Sequence, residues 1–154
     1  MFIVIFVFGL IFFCFFVGVL FVVDGEGAKK FLTVKIINAK SLASAKNIAF
    51  SIANSPLVKT AIAGEDPNWG RIIMGIGKSG EAIDPKKLKI KFGDFVVAEN
   101  GKISDSYNEE KLKEYMKWDS INIEVNLKLG SDAFECFTCD FTHDYIDINA
   151  DYRN

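Results

Sequence analysis

The chemistry this chain could do is concentrated in four short stretches. Arg71 closes Gly64-Glu65-Asp66-Pro67-Asn68-Trp69-Gly70-Arg71, an acidic turn wedged between two apolar runs. Its guanidinium is the planar fork that grips a carboxylate through two parallel hydrogen bonds. Cys136 and Cys139 have the CxxC spacing of redox and zinc sites. His143 is the only histidine, and no cysteine or serine stands at a motif spacing from it to form a nucleophile–base pair. Glu26 lies between two glycines; on its own it is a solvated carboxylate in a turn.

The elements around these residues decide how much of that chemistry is available. Pro67 suits the first turn of a helix, and Asp66 before it can accept backbone N–H groups as a cap. A helix is therefore expected from near Trp69, buried through Ile72, Ile73 and Ile76. Gly70, Gly75 and Gly77 would weaken it by roughly 1 kcal/mol each relative to alanine unless another backbone packs close. GEDPNWGR is then either a junction with a tryptophan lid or a loop-to-helix corner beside a site, and sequence physics leaves both open. The CxxC pair falls on an expected strand, where positions i and i+3 face opposite sides, and no second pair stands by to make a four-ligand site.

Periodicity supplies the rest. Leu32, Val34 and Ile36 alternate with Thr33 and Lys35, a strand pattern. Leu42, Ala45, Ile48, Ala49 and Ile52 share a helical face that Asn54-Ser55-Pro56 should end. Leu88, Ile90 and Phe92 oppose three lysines, and Asn100-Gly101 supplies the positive φ angles of a hairpin turn. Leu112, Tyr115 and Met116 mark a short helix, and Ile121, Ile123, Val125, Leu127 and Leu129 a long strand. One more strand near Ala133–Phe141 precedes what reads as a polar tail.

Composition bounds the function. The chain has 154 residues, half of them hydrophobic, and a formal net charge of -2. That is one domain with enough length for a core, without the basic face of a nucleic-acid binder. Cys14, Cys136 and Cys139 give no even disulfide framework. Residues 1–23 carry no charge and, as a helix, would reach about 34 Å, enough to cross a hydrocarbon core. They lack the basic start and cleavage site of a secretory signal. Their richness in Phe, Val and Ile equally fits a T-rich tract read in the wrong frame. A transmembrane-like segment and an artefactual start both stay open for 1–23, and 24–154 reads as one domain.

Three motifs, DGEGAKKF at 24–31, GEDPNWGR at 64–71 and FTHDYIDINADYR at 141–153, resemble the ornithine acetyltransferase family, the bifunctional glutamate N-acetyltransferases of arginine biosynthesis. The resemblance covers residues 24–154, the C-terminal part of the family's β chain; residues 1–23 do not share it. It implies an α/β (α+β) fold, a mixed sheet layered with helices as in that β chain and the DmpA-like fold, related to N-terminal-nucleophile enzymes. It also implies acyl transfer from N-acetylornithine to glutamate through an acyl-threonine, with an oxyanion hole on a separate α chain. Some members also use acetyl-CoA as donor; no other cofactor and no metal is implied.

Residue by residue, the resemblance carries over three substrate contacts. Glu26 matches the family's substrate-binding glutamate, a carboxylate able to pair with an amino-acid ammonium. Asn149 matches an asparagine near the family's C-terminus. Asn154 stands where the family has threonine or serine, an amide retaining one hydrogen bond. Lys29 departs from the family's more frequent threonine. The four threonines, Thr33, Thr60, Thr138 and Thr142, all lie outside a Lys-Gly-Thr cleavage context, so the nucleophile is absent from this chain. Two functions are thus expected. One is a cytoplasmic acetyltransferase fragment that depends on an α chain and the N-terminal part of its β chain in an α/β hetero-oligomer. The other is a non-catalytic, membrane-anchored amino-acid-binding domain.

Overall fold

The computed structural model describes residues 25–150; residues 1–23 and Asn154, with the expectations attached to them, lie outside the described residues. Six strands form one sheet in the order β4-β3-β2-β5-β1-β6. They are β1 (Phe31–Ala39), β2 (Lys89–Phe92), β3 (Phe95–Glu99), β4 (Lys102–Ile103), β5 (Ser120–Asn126) and β6 (Asp132–Cys139). β1 runs parallel to β5 and antiparallel to β6, and the remaining pairs are antiparallel. The expected mixed sheet is the one found.

Alternation sets the two faces. Leu32, Val34 and Ile36 of β1, Ile121, Ile123 and Val125 of β5, and Ile90 and Phe92 of β2 are fully buried. Against them lies a helical layer whose first member is α1 (Leu42–Ala53), seated over β1 and β6. It buries Ala45, Ile48, Ala49 and Ile52 and is capped by Ser41, whose side chain accepts from Ser44 N. Leu42, expected on that face, is exposed instead: at the first helical position it lies beyond the edge of the packed stripe. Pro56 does end α1, but it also opens α2 (Pro56–Ala63), occupying the first helical position, where a missing N–H costs nothing.

The helix expected near Trp69 is α3 (Trp69–Lys78). Its close approach to α1 uses Gly75, where a Cβ would come within 3.3 Å of Ile52 Cα. The cap is not Asp66. Asn68 is the N-cap, accepting from Arg71 N, while the Asp66 carboxylate receives a hydrogen bond from the Asn68 side-chain amide at 2.9 Å. One residue decides this: Asn68 directly precedes the helix, and Asp66 is two positions too early. The Asn100-Gly101 hairpin is present, with φ of 53° and 79°. α4 (Glu109–Met116) buries Leu112, Tyr115 and Met116. The stretch read as a polar tail is helical, α5 (His143–Ala150), and buries no residue.

Candidate functional site

Topology brings the two ends of the described chain together. β1 and β6 are antiparallel neighbours with Phe31 paired to Cys139, so the turn leading into β1 lies beside the segment leaving β6. The first arm, residues 25–30, carries Glu26; the second, from Asp140 through α5, carries Asn149. Thr142 Oγ1 donates to Gly27 O, joining the first arm to the segment that enters α5. Gly27 has φ of +70°, and a Cβ there would sit 2.6 Å from Tyr145 N. Only glycine lets the first arm lie flat on the opening turn of α5.

At the meeting point, Asn149 Nδ2 donates to Glu26 Oε2 at 3.1 Å and to Tyr145 O at 2.8 Å. Both partners are acceptors, which fixes the orientation of the amide and turns its carbonyl oxygen outward as an acceptor. Glu26 and Asn149 are both exposed. The pair therefore presents a carboxylate and an amide oxygen side by side to solvent, a combination that accepts hydrogen bonds and attracts a cation. An ammonium, with three donors and no acceptor, is the complementary group.

Beside the pair, Lys29 Nζ lies 2.8 Å from Asp144 Oδ2, and that hydrogen bond, together with the charge of Asp144, raises the Lys29 pKa above its ordinary value. The two charges satisfy each other and leave the Glu26 carboxylate available. Deeper in, Asp140 is buried and its Oδ1 accepts from the backbone N–H groups of Lys29 at 2.8 Å and Lys30 at 3.0 Å. The Lys30 side chain is buried as well, donating to Met116 O at 2.9 Å and Trp118 O at 3.1 Å at the end of α4. A groove of about 410 Å³, lined by Lys29, Thr60, Phe141, Thr142, Asp144 and Ile146 among others, borders the arms. A larger one of about 750 Å³ lies on the open face of the sheet, with Thr33, Lys35, Asn122, Glu124, Tyr115 and Trp118 in its walls; neither Glu26 nor Asn149 lines it.

The other sequence candidates resolve individually. Arg71 donates to Leu57 O at 2.8 Å and to Thr60 Oγ1 at 3.2 Å, tying α3 to α2. Cys136 and Cys139 project to opposite faces of β6: Cys136 lies opposite core residue Val34 and Cys139 opposite Phe31. Burial pushes the Cys136 thiol up to about 11. His143 stands exposed at the start of α5. Three threonine hydroxyls are engaged with backbone carbonyls: Thr60 with Pro56 O, Thr138 with Ala53 O and Thr142 with Gly27 O. Sequence reasoning missed Asp140 and buried Lys30, because a charge in the chain gives no local sign that it will be buried. No helix of the described residues is long and apolar enough to cross a membrane.

Fold and site together define a helix-backed mixed sheet carrying a carboxylate–amide pair where two segments far apart in sequence meet. The model of the ArgJ family matches residues 6–154, beginning inside the apolar stretch. The arginine biosynthesis bifunctional protein ArgJ of Ruegeria pomeroyi is 55% identical over 131 residues, covering 85% of this chain and 32% of that protein. Its counterpart from Brucella melitensis biotype 1 is 52% identical over the same shares. The crystal structure of arginine biosynthesis bifunctional protein argJ from Bacillus halodurans superposes with a TM-score of 0.88 at 36% identity, covering 94% of this chain and 68% of that one. This chain belongs to the ArgJ family. It spans 32% of the length of the curated relatives it matches.

Proposed function

We propose that this chain supplies the substrate-holding part of a glutamate N-acetyltransferase of arginine biosynthesis, which moves acetyl from N-acetylornithine to glutamate. The observation that carries the proposal is the Glu26–Asn149 hydrogen bond, formed across 123 positions of sequence on an exposed surface. Glu26 pairs with the ammonium of the bound amino acid, and the Asn149 carbonyl oxygen accepts a second hydrogen bond from it. Asn154 adds a third contact. The acyl-accepting threonine and the oxyanion donors come from an α chain and the N-terminal part of the β chain, in an α/β hetero-oligomer in the cytoplasm. Acetyl-CoA is an alternative donor; no metal takes part. Loss of a single oxyanion donor costs on the order of 10²–10³ in turnover, and loss of the nucleophile removes the acyl-enzyme step itself.

The test is a transfer assay with N-acetylornithine and labelled glutamate. The chain by itself should form no acetylglutamate. Mixed with the separately expressed remainder of the Ruegeria pomeroyi relative, it should form acetylglutamate, and Glu26→Ala should abolish that gain. Acetylglutamate made by the chain alone above a Glu26→Ala control, or made by the mixture at a level untouched by Glu26→Ala, would refute the proposal.

A further inference from the structure

We infer that Asp140 is the positioning residue that sets the Glu26–Asn149 pair; the inference rests on reading that pair as the substrate-holding one. Asp140 is 3% exposed. One of its oxygens fixes two consecutive backbone N–H groups at Lys29 and Lys30, and the other, Oδ2, is buried with no hydrogen-bond partner among the described residues. Burying an unpartnered carboxylate oxygen is unfavourable, and the two N–H groups held by the other oxygen offset that cost. What its bonded oxygen does is hold the root of the arm that carries Glu26, while Asp140 itself is the root of the arm that carries Asn149.

A backbone bond from Asp140 N to Lys30 O, 3.1 Å, also joins the roots of the arms, and the other side-chain ties are weaker. Lys29–Asp144 is a solvent-exposed ion pair, a class that contributes little because solvent screens it. Glu26–Asn149 is itself exposed, and Thr142–Gly27 is part-buried. The Lys30 side chain pins the start of β1 to the end of α4 and does not touch the second arm. Among the described residues, the bond from Lys30 N to Asp140 Oδ1 is the one buried side-chain hydrogen bond between the arms.

The experiment uses the whole 154-residue chain and follows the Asn149 side-chain amide by NMR, with L-ornithine as the binding probe. In Asp140→Ala the Asn149 amide should move to the position it takes in Glu26→Ala, and ornithine affinity should fall about tenfold, the value of one charge-assisted hydrogen bond. Asp140→Asn keeps an oxygen on both N–H groups and should restore the wild-type resonance and affinity. Asp140→Ala with a wild-type Asn149 resonance and wild-type affinity overturns the inference. If Asp140→Ala fails to fold, Asp140→Leu, which keeps the branched shape and accepts no hydrogen bond, decides: a folded Leu variant with a wild-type Asn149 resonance also overturns it. A wild-type chain that does not bind ornithine sinks the reading of the pair, while the resonances still judge Asp140.

Discussion

Gly27→Ala separates the arm geometry from the stability of the core. The added Cβ would lie 2.6 Å from Tyr145 N and 2.9 Å from Asp144 C, both backbone atoms, at a φ of +70°. No rotamer change relieves such contacts. Either the turn at 25–28 leaves its left-handed conformation or the first turn of α5 lifts away. Left-handed backbone costs alanine about 1–2 kcal/mol, and losing the Thr142–Gly27 hydrogen bond about 1 more, for a total near 2–3 kcal/mol. Lifting α5 exposes no buried side chain, because it has none, so the loss should stop there. The variant should remain folded, with an unfolding free energy from urea denaturation lowered by that amount, and the Asn149 amide should shift as in Glu26→Ala. A loss below about 0.5 kcal/mol with the Asn149 resonance unmoved would refute the close approach. Failure to fold would show that α5 is anchored more deeply than its exposure indicates.

Two further outcomes follow from the corrected junction and from the strand cysteines. Removing the Asn68 cap should cost about 1 kcal/mol, and Asp66→Ala less, since the Asp66 carboxylate receives the Asn68 side-chain amide in solvent. Emptying a fully buried tryptophan site costs about 3–5 kcal/mol; Trp69 is half-buried against the core, so Trp69→Ala should fall at or below the lower end. Thermal melts should rank Trp69→Ala as the most damaging, then Asn68→Ala, then Asp66→Ala, and Asn68→Ala outranking Trp69→Ala would contradict the packing described. With its thiol pushed up to about 11, Cys136 should be alkylated at pH 8 more slowly than Cys139 in peptide mass spectrometry; faster reaction of Cys136 would contradict its burial. The folded thiol also holds its proton more tightly than the unfolded one, so its contribution to stability is intact below 9.0 and is lost as pH rises to about 11.

What was legible in the sequence followed from burial on one side only. Leu32, Val34 and Ile36, or Ile121, Ile123 and Val125, each have one face in the core, and a strand packed that way writes its period into the chain. α5 was not legible because it buries nothing, so no apolar stripe marks it. α2 was hidden because Pro56 ends one helix and begins the next. Glu26 and Asn149 carry no local signal: each is a polar residue in a polar stretch, and motif resemblance alone singled them out. Asp140 and Lys30 were invisible for a different reason, since their burial depends on partners about 110 and 86 positions away.

The central claim is that Glu26 and Asn149 form one cation-accepting site, and calorimetric titration of the chain with L-ornithine addresses it most directly. Weak saturable binding is expected in the wild type, lost in Glu26→Gln, which removes the charge and keeps the shape. Asn149→Ala should weaken it as well. Binding that survives Glu26→Gln unchanged would contradict the account, because the carboxylate is the group assigned to the ammonium.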